Sequence, residues 1–257
     1  MTETTTPIAI AYPEADSLSL RVSVGACTLT ITPGAGPEWV EGTYRDTSGK
    51  IPLVIDQGTG AVRIRQSPDV ESVVGLFQGA PRLDMRLGTD RPFDLLVEGG
   101  ANEVDLSLGG VPLTQFELKH GAGKVEIGFE TPNPAEMKTL RLATGAGLLE
   151  AEGLANANFA ELIAEGGAAK FELQFGGKLR RAGSVRISTG AAGVEIDVPA
   201  DVPARVAAKT TLGSIAVGSG FTTHDGGYWN AAAEAGGEPA LTMDVTVAVG
   251  SLRISTG

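Results

Sequence analysis

FELKHGAGKVEIGF (Phe116–Phe129) is followed along the chain by LRLATGAGLLEAEG (Leu140–Gly153), LIAEGGAAKFELQF (Leu162–Phe175) and VRISTGAAGVEIDV (Val185–Val198), and is preceded by FDLLVEGGANEVDLSL (Phe93–Leu108). Each line reads the same way: a short stretch alternating apolar and polar, a Gly/Ala-rich corner, then a second alternating stretch. The first apolar residues of the second stretches are Leu83, Val104, Val125, Leu149, Phe171, Val194 and Ile215, spaced by 21, 21, 24, 22, 23 and 21 residues. Val62 lies 21 before Leu83, Leu29 lies 33 before Val62, and Leu252 lies 37 after Ile215. The two long gaps carry loop-like insertions, GPEWVEGTYRDTSG (36–49) and GSGFTTHDGGYWNAAAEAGGEP (218–239).

An alternation of period two is the mark of a strand with one buried face. A unit of about 22 residues cannot bury that face alone, and stacking parallel copies about 4.8 Å apart makes one continuous core. The expected fold is therefore all-β: a single-stack β-solenoid with about ten rungs of 21–24 residues. Two β-sandwich domains are the alternative, because many short strands also suit a sandwich. Helix is expected to be minor, with one or two turns at Pro134–Leu140 and Asn156–Ile163. Of the 257 residues, 36 are Gly, about 14 % against a usual 7 % or so, and aromatics make up only 5 %. Glycine at a corner permits positive φ and close backbone approach, and few rings are needed to fill a narrow aliphatic core.

The chain has 31 acidic and 20 basic residues, a net charge of −11. Such a chain is repelled by nucleic acid and by an anionic bilayer unless it carries a strong basic patch. The densest basic cluster, Lys178, Arg180, Arg181 and Arg186, is short, so no nucleic-acid partner is expected. Met1–Thr6 has no basic n-region or apolar h-region, and no apolar run approaches the 18 or so residues of a membrane span. The expected location is cytoplasmic as the chain is written, or the soluble part of an envelope-associated system.

The chemistry-bearing residues are sparse. Cys27 is a lone thiol in an alternating apolar stretch with no nearby His, expected to be packed rather than reactive. His120 and His224 lie about a hundred residues apart, without the spacing of a metal site; His120 is expected at a rung corner and His224 in the late loop. Glycine pairs such as Gly58/Gly60 and Gly121/Gly123 lead into another strand rather than a helix, which argues against a phosphate cradle. No catalytic, cofactor or metal residue is expected.

One column stands out. Asp84, Asp105, Glu126, Glu150, Glu172 and Glu195 each follow the anchor residue of their rung, so in register they stack outward as a candidate acidic interaction surface. Carboxylates about 5 Å apart repel by up to about 1 kcal/mol per pair in water, and Arg141 and Arg186 are candidates to relieve them. A glycosidase needs two acids facing each other across a bond, whereas this column sets them side by side; a carbohydrate-active solenoid is the alternative function. Trp39, Tyr44, Tyr228 and Trp229 are expected in loops.

The stretch SVRISTGAAGVEIDVPADVPARVAAKTTLGSIAV (Ser184–Val217), with Tyr228-Trp229 and MDVTVAVGSLRIS beyond it, resembles the toast-rack domain family of bacterial cell-wall-active-antibiotic-response and adhesin-like proteins. The resemblance is best from about Leu95 to Gly257 and weaker over 1–90, and the chain is expected to divide into an N-terminal β portion (1–90), either first rungs or a separate cap, and a toast-rack solenoid (91–257). It implies a right-handed, rack-like solenoid without enzymatic activity. It also implies a scaffold or protein-interaction module, linked in some relatives to envelope-stress signalling. Self-association is expected too: the final SLRISTG reads as one more rung with no polar cap, to be covered by the loop around Trp229 or paired with another copy.

Overall fold

The structure is a computed structural model and describes residues 3–67, 80–224, 226–238 and 240–257. Its elements are β1 (Thr4–Ile10), β2 (Ser19–Val24), β3 (Thr28–Pro33), β4 (Val40–Asp46), β5 (Leu53–Gln57), β6 (Ala61–Gln66) and β7 (Arg82–Leu87). The long strands β8 (Phe93–Ser107), β9 (Leu113–Gly128), β10 (Met137–Glu152), β11 (Phe159–Gln174) and β12 (Gly183–Asp197) follow. The chain ends with β13 (Ala204–Val217), β14 (Phe221–His224), β15 (Gly227–Asn230), the short helix α1 (Ala231–Glu234) and β16 (Leu241–Ser255). The fold is all-β, and its strands join in one long open sheet.

Each long strand is a whole rung bent at its glycine corner. In β9, past the buried Leu113 at its start, the buried positions are Phe116, Leu118 and His120 before the corner, and Val125 and Ile127 after it. The buried set changes from even to odd numbers across Gly121–Gly123. A straight strand could not do this, because its side chains alternate strictly. The backbone turns at the corner, so the two arms face one core from two sides. Returns such as 108–112 and 129–136 carry the chain to the next rung and bury Leu108, Val111 and Phe129 beneath them. Buried asparagines peg these returns. Asn133 donates to the carbonyls of Leu113 and Ala157 (2.9 and 3.1 Å) and accepts from the Leu113 and Ala135 N–H groups. Fully burying each Val, Leu or Ile contributes roughly 1.5–3 kcal/mol, and one continuous core runs from Ile8 to Ile254.

The corners work because the stacked backbones touch there. A Cβ on Gly121 would sit 2.6 Å from the Gly100 carbonyl oxygen, and one on Gly167 would sit 2.7 Å from that of Gly145. Gly147 is stricter still: its φ is 114°, and a Cβ there would collide with the Gly123 carbonyl.

Two sequence expectations about order need correction. Val62 and Leu83 are the two arms of one rung: β6 pairs β2 and β7 pairs β3, all parallel. Their 21-residue spacing matches the period only because an insertion separates the arms. The described residues thus form nine two-armed rungs, in the spatial order β6/β7, β2/β3, β8, β9, β10, β11, β12, β16, β13. The final segment is therefore not an end rung. β16 lies between β12 and β13, parallel to both, so the strand expected to need a cap is interior. The late insertion gives the chain the length to return and fill that gap.

Four local expectations also change. The 36–49 insertion contains β4, which pairs antiparallel with β1 and β7. The 218–239 insertion contains the β14–β15 hairpin and α1. Pro134–Leu140 is not helical, since β10 begins at Met137 and its ladder with β9 and β11 outweighs local preference. The second helical expectation shrinks to a single 3-10 turn at Leu154–Ala157, closed by Asn158 at φ 57°.

Replacing Gly147 with Ala should destabilise the fold by about 2–4 kcal/mol, since it adds left-handed strain to a backbone collision. Gly176→Ala, whose Cβ would meet nothing within 4 Å, should stay within about 1 kcal/mol of the parent. Urea denaturation of both variants measures the difference, and equal midpoints would refute the corner argument.

Candidate interaction face

The second arms of the rungs bring the acidic column into register. Asp105 pairs with Glu126, Glu126 with Glu150, Glu150 with Glu172 and Glu172 with Glu195. Two neighbours break the series. Thr30 of β3 stands between Asp84 and Asp105, because the β2/β3 rung intervenes. Beyond Glu195 the next residue in line is Arg253, then Ala216.

Repulsion along the column is relieved by two lysines rather than by Arg141 and Arg186. Lys124 Nζ lies 2.8 Å from Glu126 Oε1 and 2.9 Å from Glu150 Oε2. Lys170 Nζ lies 2.6 Å from Glu172 Oε1 and 3.0 Å from Glu195 Oε1. Each lysine sits two residues before a column carboxylate, hence on the same face, and each serves its own rung and the next. Leu148 fills the lysine position on the rung between them. At the far end Arg82 Nε holds both Asp84 oxygens, at 2.8 and 2.9 Å. The signal was present in the spacing of GKVEI and AKFEL, but choosing these lysines requires the register between rungs.

Arg141 and Arg186 are on the first arms, where they pair with Glu165 and Glu161. That face is mixed in charge. On it Arg21 holds Glu98 by two bonds of 2.8 Å, with Ser23 Oγ also donating to Glu98 at 2.7 Å. Partial burial would raise the Glu98 pKa, but these hydrogen bonds outweigh it and hold the carboxyl below its usual range.

Asp105 forms no ion pair among the described residues. It lines, with Glu126, Glu130, Glu150 and Glu152, a cleft of about 160 Å³. Among the described residues no three acidic, His or Cys side chains converge as metal ligands would.

The remaining candidates have structural surroundings. His120 is buried at the corner, its Nε2 3.1 Å from both the backbone and side-chain oxygens of Asn102 and its Nδ1 3.4 Å from Thr144 Oγ1. Burial lowers its pKa and so favours the neutral ring, against a smaller opposing effect of the Asn102 bond. Cys27 is buried, and that burial pushes its thiol up to about 12. Trp39, in the bend before β4, and Tyr44, within β4, are both core residues: Trp39 packs edge-on to Phe93, and Tyr44 Oη donates to the Ile51 carbonyl at 2.7 Å. Trp229 stacks with His224 at 4.5 Å and with the Arg205 guanidinium at 4.9 Å.

With this geometry in view, residues 1–150 match the family described as the N-terminal domain of toast_rack, DUF2154. The chain belongs to the toast-rack family. No curated protein matches it. Among solved structures, a "putative cell adhesion protein" from Clostridium sporogenes is 14 % identical, with all of both chains covered and a TM-score of 0.52. This toast-rack chain shares the fold of that protein, and at such identity nothing more. A "putative adhesin" from Parabacteroides merdae is 8 % identical over 98 % of this chain and 95 % of its own, TM-score 0.42. A "putative lipid binding protein" from Parabacteroides distasonis is 10 % identical over 98 % and 96 %, TM-score 0.42. Among the described residues of this toast-rack chain, no helix is long and apolar enough to cross a membrane.

Two predictions follow from the charges and the thiol. Glu126 and Glu172 first, then Glu150 and Glu195, raise the pKa of Lys124 and Lys170. Their stabilising effect is complete below the unfolded lysine value of about 10.4 and is lost as pH rises beyond it. Lys124→Gln with Lys170→Gln should lower the melting temperature in low salt and much less in 1 M NaCl, the difference shrinking progressively as pH rises above about 10.4. An equal loss under all conditions would assign the lysines a packing role instead. Cys27 in the native protein should resist a thiol reagent at pH 8 and react once urea unfolds the chain; fast native labelling would contradict its burial.

Proposed function

We propose that this chain is a non-catalytic solenoid scaffold that binds a protein partner through the charged outer face of its second arms. The described residues of the 1–90 portion supply the first rungs of the stack and the strands that close it, and the partner belongs to bacterial envelope-stress sensing, as the family resemblance suggests. One observation carries the reading: Lys124 and Lys170 each clamp carboxylates of two successive rungs. Clamped side chains on a stiff ladder form a fixed pattern of charge that costs little entropy to present to a partner. The same clamping opposes acid–base chemistry, because Glu126, Glu150, Glu172 and Glu195 are already bound to a lysine and the ladder sets the column carboxylates side by side.

The carbohydrate-active alternative finds less support. Sugar sites use exposed aromatic platforms, and here Trp39 and Tyr44 are in the core while Trp229 is engaged by Arg205 and His224.

The test is affinity capture from the native host, with the wild-type chain compared to an Asp105→Lys/Glu130→Lys variant that reverses the unpaired end of the face. A partner retained by wild type at low salt, released by high salt and lost from the variant is the expected result. A partner set indifferent to the reversal, or hydrolysis of envelope glycans by the purified chain, would overturn the proposal.

A further inference from the structure

The two ends of the solenoid are finished differently. At the N-terminal end, the second arm of the β6/β7 rung is covered by β4 and then β1, and the first arm by β5. The outermost strand there, β1, is short and carries Pro7, which has no N–H to offer an incoming strand. At the other end the last rung is β13. Its inner side pairs with β16 from Ala204 to Val217. On its outer side, among the described residues, β15 pairs only with Arg205 and Val206. On that outer side, the backbone from Ala207 to Val217 has no strand beside it among the described residues.

This edge also leaves the core incomplete. The inward side chains Ala208, Ile215 and Val217 are only partly buried, whereas Val245, Leu252 and Ile254, one rung further in, are covered. The Thr210 hydroxyl is shielded from solvent yet has no hydrogen-bond partner. Leu212, 66 % exposed, lies in register with Val249, 49 % exposed, and these are the two large exposed hydrophobic side chains among the described residues. They continue the corner column occupied by Ala101, Ala122 and Ala146 on earlier rungs, so the apolar ridge grows largest at the uncovered edge.

We propose that a second copy of this chain covers the edge, β13 against β13, antiparallel about a two-fold axis between Leu212 and Gly213. The inward positions of β13 are even before the corner and odd after it, Ala208 and Thr210 against Ile215 and Val217. An antiparallel pairing keeps inward residues facing inward only if even positions oppose odd ones, since a one-residue slip turns every side chain to the wrong face. An axis at Leu212/Gly213 does this: Ala208 opposes the partner's Val217, and Thr210 opposes the partner's Ile215. Leu212 then meets the partner's Gly213, which has no side chain to obstruct it. The unpaired stretch from Ala207 is centred on the same point, so each β14–β15 hairpin lies just outside the paired region. The edge carries Lys209 and no acidic residue, and in this register the two Lys209 side chains are seven residues apart along the ladder. A head-to-tail alternative would need β1, which covers one arm only and holds Pro7, to match a bent two-armed edge.

Eleven or so residues a side is fewer than the roughly 20–30 of a standard stable interface. The dimer should therefore dissociate in the micromolar range. It rests on the reading of the chain as an interaction module but uses a different surface from the charged face, so its failure would leave that face untouched.

Sedimentation velocity of the full chain from about 1 to 200 µM, a range spanning such a dissociation constant, tests the proposal. Wild type should pass from monomer to dimer, and Leu212→Lys, a change at an exposed side chain, should weaken association at least about tenfold. Thr211→Cys/Ser214→Cys places thiols opposite each other across the axis and should give a covalent dimer on mild oxidation. Thr4→Cys on the N-terminal edge should give no covalent dimer under the same oxidation. A wild-type chain monomeric throughout the range would overturn the proposal and leave the edge to a strand from a different protein. A dimer that survives Leu212→Lys, or that the paired cysteines fail to link, would overturn it equally.

Discussion

Everything in this structure depends on how closely backbones approach at the rung corners. Parallel strands stack about 4.8 Å apart, and here they must also turn together so that both arms face one core. At the turn the carbonyl of one rung occupies the space where the next rung would place a Cβ, as Gly121 beneath Gly100 and Gly167 beneath Gly145 show. A side chain at these points would push the rungs apart and open both ladders at once. Glycine carries an entropic cost in a strand, and the chain bears it at the corners because the bend is what lets a single strand enclose a core.

The even spacing that makes the core also makes a charge problem. Identical rungs place identical residues above one another, so carboxylates stack with carboxylates. A lysine on every rung would relieve this but would stack cations in turn. The observed solution alternates: Lys124 and Lys170 each reach two rungs, and Leu148 occupies the site between them. One cation between two anions lowers repulsion along both columns. Exposed pairs of this kind add little to stability; their effect is to hold the face in one arrangement.

A stack of strands must also end. The N-terminal end changes from parallel to antiparallel pairing and closes on a short strand with a proline, a protection against unwanted pairing. The other end is handled in two parts. The β14–β15 hairpin guards the start of β13, and the chain inserts β16 inside rather than beyond the last rung. What is left open is a bent edge of symmetric length about its corner, with its largest apolar side chains in the middle.

The repeat, the strand alternation, the glycine corners and the outward column could all be read from the chain, because each depends on residues close in sequence. FELKHGAGKVEIGF shows its bend by the shift of apolar positions across its glycines. Three matters were not legible. Val62 and Leu83 looked like successive rungs, since spacing alone cannot separate one period from an insertion of equal length. The lysines that neutralise the column were visible, but which carboxylates they bind depends on contacts between rungs. The place of β16 was hidden, because a parallel strand fits between any two rungs with the same pattern. The rung is written in the chain; the order in which rungs stack, and which edge stays open, emerges only in the folded molecule. The physical reason is that local alternation selects a strand and its buried face, whereas the neighbour of each strand is chosen by a core and a ladder that every rung shares.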